Sequence, residues 1–580
     1  MRAAADSKLP ATSRWHAFLP AAEWLSRYQG KWLGADALAG FTLAAYAIPV
    51  AMAYASLAGV APQMGLYCYL VGGLGYALFG SSRHLAIGPT SAISLVFGVS
   101  LAKLAGGDAD RFLSLAILST LFVAALFFLA WLLRLSVVVN FISESVLVGF
   151  KAGAALSIIV TQLPKLFGVK GGGDDFFERV WLLCGQLGGT NLVVLAVGLA
   201  GIVLLVAGDK LLPGKPVALA VVILSLVAVP LIGLSQHGVG VVGQLPSGLP
   251  SFVGHHLNLR GLDAGTRREL IGLAFACFLL SYIESISAAR TFALKHRYEV
   301  NPRRELFALG MANLATGLFQ GYPSAGGLSQ SAVNEKAGAR TPASLVFASI
   351  TLALVLLFLT GLFRNLPSAV LAAVVLVAVK GLINVKELCH LFRVSRFDFI
   401  AAIVALVGVL LLGILDGVIF AVIASLLMLL KRASTPHVAF LGRIPGTSRF
   451  SDLARHPENE PVPGALLFRV ESAILYFNVD HVLHAVLEQA RASASLIQRV
   501  ICDLSNTAYI DLAGARMLVR LNEELETSGI DLRIVEAHGT QRDILRAEGL
   551  EQLCGPIKRR ISLADAVAEF TSGRQMESNS

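Results

Sequence analysis

Charge is what this chain has least of. Only 15% of its 580 residues are Asp, Glu, Lys or Arg, against 55% hydrophobic residues and a mean hydropathy of +0.70. That balance excludes a soluble protein of this size and points to a polytopic membrane protein. Cysteine is sparse as well. Cys68, Cys184, Cys277, Cys389, Cys502 and Cys554 are scattered, with neither paired spacing nor neighbouring histidines, so neither a disulfide framework nor a zinc site is indicated. Residues 1–35 lack the continuous apolar core of a signal peptide; Trp15, Trp24 and Trp32 are spaced among charges, as in a cytoplasmic, interfacial lead-in. No nucleophile, acid and base cluster is visible, which argues against an enzyme, and no cofactor is expected. The net charge of +9 sits in short loops between apolar runs, so it reports topology and not a nucleic-acid partner.

Long hydrophobic runs are what the chain has in excess. They fall at roughly 36–57, 63–80, 86–104, 111–133, 137–163, 190–209 and 216–235, then at 268–294, 303–320, 328–338, 341–363, 366–383, 397–415 and 417–431. The count is seven plus seven. With both termini cytoplasmic, the inside loops hold the basic residues, among them Arg83, Arg134, Lys210, Lys215, Lys295 and Arg303, while the outside loops are poorer or balanced. An odd seven-segment unit inverts its own repeat, which relates the halves by a pseudo-two-fold axis in the membrane plane.

Two of the runs are interrupted. In GSSRHLAIGPTSAISLVFGVS, Gly80 to Ser100, only Pro89 to Leu101 reads as helix, short of the roughly 20 residues a crossing needs. Pro89 suits a first helical turn, and Thr90 and Ser91 place hydroxyls beside free backbone donors. Such an electropositive helix start at membrane depth attracts anions. A second interruption, GYPSAGGLSQSAVNEKAG, spans Gly321 to Gly338. Two matching interruptions point to a transporter binding site between them; the alternative is a pair of ordinary loops.

Three residues stand out within the runs. Pro49, one turn before Tyr54, frees backbone carbonyls or simply kinks its helix. Glu284 lies mid-membrane with Leu280, Ser281, Ser287 and Ala288 as its helical neighbours, so no cation on its own helix neutralises it. It is therefore protonated, paired across helices, or bound to an ion such as Na+, unless its role is only structural hydrogen bonding. Lys151 is explained equally by snorkelling or by pairing with Glu144. Beyond Arg432 the composition shifts to a Pro-rich, charged linker at 433–464, then to a cytoplasmic α/β domain at 465–570 and a disordered tail at 571–580.

The segments PQMGLYCYLVGGLGYALFGSSRHLAIGP, IPVAMAYASLAG, ESISAARTFALKH and GGLSQSAVNEKAG closely resemble the SulP sulfate-permease family, and VICDLSNTAYIDLAGARML resembles its STAS domain. The resemblance covers about 36–570. It implies fourteen segments in inverted repeats with two half-helices, a core moving against a gate, and a homodimer. Carried over by motif, the anion site comprises Thr90 and Ser91, Leu328, Ser329 and Gln330, and Val50 and Tyr54; Glu284 falls where coupled members keep a carboxylate for H+ or Na+. The chain departs from many relatives in having Val50 in place of Gln and Gln330 in place of Arg, which predicts weaker holding of a dianion. Leu512 follows Asp511 where STAS-like antagonists place a phosphorylatable serine, so phosphorylation there is not expected.

The expected protein is thus a polytopic α-helical membrane protein of the cell membrane. It would carry a small anion of the sulfate, bicarbonate or dicarboxylate type by alternating access, coupled to H+ or Na+. The rivals are an uncoupled anion channel or exchanger, a STAS-linked anion sensor, and a nucleobase or carboxylate carrier of like architecture.

Overall fold

The structure, a computed structural model, describes residues 24–26, 28–135, 144–173, 175–212, 216–253, 263–492, 497–559 and 561–578. Trp15, residues 137–143 of the fifth expected segment, Lys215 and residues 579–580 of the expected tail lie outside the described residues. The chain divides into two compact units, Met1–Ser425 and Leu426–Ser580.

Apolar runs of 15 to 33 residues can satisfy their backbone in lipid only as helices, and the first unit is built from them. They are α1 (Leu33–Leu57), α2 (Pro62–Tyr67), α3 (Gly73–Phe79), α4 (Ser91–Ala105), α5 (Ala109–Leu132), α6 (Glu144–Phe167), α7 (Phe176–Gln186), α8 (Leu192–Leu211) and α9 (Val217–Ile232). The second series is α10 (Ala264–His296), α11 (Pro302–Leu318), α12 (Leu328–Lys336), α13 (Ala343–Phe358), α14 (Ser368–Val379), α15 (Val385–Val394), α16 (Arg396–Leu412) and α17 (Ile414–Ser434). Among the described residues six helices are long and apolar enough to span a bilayer, α5, α6, α8 and α10 among them. Two strands of two residues, β1 (Ile87–Gly88) and β2 (Ala325–Gly326), precede the short helices α4 and α12.

Helix starts follow local sequence. Asp108, Asn191, Asp263, Asn301 and Ser395 each accept hydrogen bonds from first-turn N–H groups of α5, α8, α10, α11 and α16. The second expected run is helical throughout 62–79, with a π turn at Cys68–Gly72 between α2 and α3. The amphipathic helices α7 and α15 were not expected at all. Pro89 does not open a helix: α4 begins at Ser91 with Thr90 extended before it (φ −120°, ψ 156°), since Gly88 is held in β pairing with Ala325.

Packing sorts these helices into neighbourhoods. α1 packs on α13, α2, α12 and α4; α10 packs on α5, α4 and α12; α6 packs on α16 and α14. One apolar cluster joins residues from all three neighbourhoods, including Val50, Tyr54, Ile93, Ala154, Ile158 and Leu280.

The second unit is a five-stranded sheet with helices. β3 (Val438–Arg443), β4 (Phe450–Asp452), β5 (Ala465–Val470), β6 (Arg499–Asp503) and β7 (Asp531–Val535) lie in the order β4-β3-β5-β6-β7. β5, β6 and β7 are parallel and β3 and β4 are antiparallel additions. The helices are α18 (Val479–Ala492), α19 (Leu512–Glu526), α20 (Gly539–Ala547), α21 (Leu550–Leu553) and α22 (Leu563–Ser578). Two expectations are corrected here. The stretch 433–464 is not only a linker, because Ala439 and Leu441 of β3 are buried and complete the sheet. The tail is not disordered through 571–578, because α22 is started by reciprocal Ser562–Asp565 bonds, anchored by buried Val567, and runs on to Ser578.

Candidate functional site

β1 and β2 pair antiparallel, Ile87 opposite Gly326 and Gly88 opposite Ala325. This two-residue ladder decides the geometry. Each strand runs directly into a helix start, and antiparallel pairing brings two successive Cα positions of one segment within about 5 Å of the other, so α4 and α12 are tied to one shared ladder and leave it in opposite senses. Glycine is required in both strands: a Cβ on Gly88 would enter the Tyr69 ring and one on Gly326 would strike Leu85.

Polar side chains inside apolar helices hold the ladder. Gln330 Nε2 donates to Ala86 O and to Ala325 O, each at 2.9 Å, and its Oε1 accepts from the Tyr69 hydroxyl. Ser331 Oγ accepts from Ala86 N at 3.0 Å, and Asn334 Nδ2 donates to His84 O at 3.2 Å. On the other side Ser285 Oγ accepts from Gly326 N at 2.7 Å and Ser281 Oγ donates to Ser324 O at 2.7 Å. Asn313 Oδ1 accepts from Ser324 N at 2.9 Å. Each bond satisfies a backbone group that lipid or apolar packing would leave unpaired.

Ser281 and Ser285 flank Glu284, so the bonds that fix β2 also fix the carboxyl. Glu284 Oε2 is buried with no hydrogen-bond partner. Thr90 and Lys151 act on it electrostatically. Thr90 is itself buried, its Oγ1 has no partner, and it does not cap α4. The Tyr54 hydroxyl interacts with Ser91 and lies in the field of Glu284. Val50 is buried one turn before Tyr54.

The expected residues therefore gather unevenly. Val50, Tyr54, Thr90, Ser91 and Glu284 converge on the start of α4. Leu328 and Ser329 are exposed at the start of α12, where Gly327 gives no side-chain cap. The Gln330 side chain is spent on the ladder, which leaves only its backbone N–H for a guest. Lys151 acts electrostatically on Glu284. Reading the sequence missed Tyr69, Ser281, Ser285, Asn313, Ser331 and Asn334; the available signal was small polar residues three or four apart in apolar helices. It also missed two carboxylates, Asp36 and Glu305, both fully buried.

A model of the sulfate permease family matches residues 33–405. The chain belongs to that family. A STAS-domain model matches residues 456–564. Relatives of the chain include a probable sulfate transporter of Mycobacterium tuberculosis, 32% identical over 94% of this chain and 96% of its own. Probable sulfate transporter 3.4 of Arabidopsis thaliana is 32% identical over 95% of this chain and 87% of its own. The fold is shared with murine solute carrier 26 family member A9, an anion transporter solved inward-facing. The TM-score is 0.85 at 21% identity, covering 98% of this chain and 96% of that one. The transmembrane domain of a cyanobacterial bicarbonate transporter aligns with TM-score 0.58 at 23% identity, over 69% of this chain and 98% of its own. The family is one of transporters, not enzymes.

Proposed function

We propose that this sulfate permease relative is a secondary active carrier of a small anion of the sulfate, bicarbonate or dicarboxylate type, coupled to H+ or Na+ and working by alternating access. The observation that carries the reading is the start of α4: an uncapped helix end with the Thr90 hydroxyl near the Glu284 carboxyl, where Thr90 Oγ1 and Glu284 Oε2 are buried and make no hydrogen bond within the fold. Two orphaned polar groups at membrane depth are costly unless a guest satisfies them. An anion suits the helix end, worth about half a positive charge, and a cation or proton suits the carboxyl.

In this mechanism the anion docks on Thr90, Ser91 and Tyr54, with the backbone donors of Leu328, Ser329 and Gln330 opposite, beside Val50. H+ or Na+ neutralises Glu284. Carrying the bare carboxylate through an apolar interface would cost several kcal/mol, so the empty, charged form moves least. The antiparallel β1–β2 ladder between the two interrupted segments supports a 7+7 inverted repeat of fourteen segments, and the family membership supports a homodimer. The loop charges support a cytoplasmic side for both termini and the STAS domain at the cell membrane.

The test is uptake into proteoliposomes of labelled sulfate, bicarbonate and succinate under imposed pH or sodium gradients. Saturable, gradient-driven uptake of one of them is expected. Single-channel currents without saturation, or no flux for any of the three, would overturn the carrier reading.

A further inference from the structure

Lys151 is the charged residue that this mechanism has not used. Its direction follows from the packing of α6. Gly149 and Gly153 press that helix against α16: a Cβ on Gly149 would fall on the Ala402 carbonyl, and one on Gly153 on Leu406 and Val409. At about 100° per residue, position 151 lies half a turn from both glycines, on the face away from α16. Ala154, Ala155 and Ile158 share that face and are fully buried in the cluster that holds Val50, Tyr54 and Ile93. α6 also touches α4. The ammonium therefore stands on a buried face turned toward the start of α4, half-buried itself and within electrostatic reach of Glu284.

We infer that Lys151 is the fixed positive charge of the anion site, held by the Glu284 carboxylate when the carrier is empty and released to the anion when Glu284 takes up its H+ or Na+. The inference rests on the proposed carrier mechanism and adds the source of coupling to it. Among the described residues the charged or titratable groups that interact with Glu284 are Lys151 from α6 and Tyr54 from α1; Thr90, just before α4, and Leu328 to Gln330 of α12 are neutral. With Glu284 ionised, carboxylate and ammonium sum to zero and the anion meets only helix dipoles. With Glu284 neutralised, a full unit charge is exposed in a low-dielectric site, where it attracts an anion far more strongly than in water. Linkage then requires the anion to favour cation loading by the same factor. The positive charge missing at Gln330 is thereby supplied from another helix.

The test uses the purified full chain and its uptake of labelled sulfate and labelled bicarbonate in proteoliposomes. Binding of the same anions is read in parallel by thermal protection at pH 5.5 and pH 7.5. Lys151→Met is expected to weaken anion binding about tenfold or more in the Glu284→Gln background, where nothing opposes the lysine, and by much less in the unaltered protein at pH 7.5, where a Glu284 deprived of its counter-charge takes up a proton and the site stays at zero net charge. Lys151→Arg should restore binding in both backgrounds, which separates charge from packing. Equal losses with and without Glu284→Gln, or no loss in either, would overturn the role of Lys151 while leaving the carrier reading intact. Absence of sulfate or bicarbonate uptake and binding by the unaltered protein would remove both.

Discussion

Asp36 and Glu305 differ from Glu284 in one respect that separates structure from function. All three carboxyls lie in the membrane unit without a direct ion pair among the described residues. Asp36 accepts from Arg340 N at 2.6 Å, Thr341 N at 3.1 Å, the Thr341 hydroxyl at 2.7 Å and the Tyr28 hydroxyl at 3.2 Å, and so ties α1 to the start of α13. Glu305 accepts from Ser81 N at 2.9 Å, the Ser81 hydroxyl at 2.6 Å and the Tyr76 hydroxyl at 2.8 Å, and so ties α11 to the loop before β1. Glu284 has one oxygen with nothing at all. A carboxylate whose acceptor sites are filled by neutral donors is an anchor; one left unfilled in the same unit is waiting for a partner from outside the fold.

The comparison is broken most directly at Asp36. Asp36→Ala removes four accepted bonds and leaves the part-buried Arg340 N–H and the buried Thr341 N–H unpaired, at a cost of about 1 to 3 kcal/mol for the buried group. We expect little folded protein, read as the monodisperse fraction after detergent extraction; a normal yield with normal thermal stability would show that the anchor is dispensable. Glu305→Ala follows the same logic with three bonds, and the Ser81→Ala partner change should cost less because the Tyr76 bond survives. Melting temperatures that rank these variants otherwise would contradict the bond inventory.

Glu284→Gln sharpens the other side. With no bond to lose, the fold should be unharmed, within about 1 kcal/mol by thermal melt, while dependence of uptake on the imposed ion gradient disappears and anion binding stays measurable. Gradient-driven uptake that survives the substitution would remove Glu284 from the coupling step.

Much of this was legible in the residues. Fourteen apolar runs, two interruptions rich in Gly, Pro, Ser and Thr, and a mid-membrane glutamate are local signals, and the helices fall on those runs within a few residues. What could not be read was long-range pairing. Asp36 and its donor Thr341 are 305 positions apart and Glu305 and its donor Ser81 are 224 apart, so neither anchor has a local sign. Gln330 looked like a ligand residue because of its place after Ser329, yet its amide is consumed by Ala86, Ala325 and Tyr69. β3 was concealed by its setting: its alternating VAFLGR stretch follows charged α17 and Pro436 and precedes a polar turn, so composition outweighed periodicity.

The two half-helices divide their work along the same line, and this gives the smallest effect. α4 offers a buried, uncapped start with an orphaned hydroxyl, whereas α12 spends Gln330, Ser331 and Asn334 on the ladder and leaves Leu328 and Ser329 exposed. If α12 contributes through its backbone donors alone, Ser329→Ala keeps those donors and should change the KM for the transported anion by no more than about threefold. Thr90→Ala, by contrast, should raise it about tenfold through loss of one hydroxyl contact to a charged group. A Ser329→Ala change equal to that of Thr90→Ala would mean that the two helix starts grip the anion alike, and that the exposed hydroxyl turns inward when the site is filled.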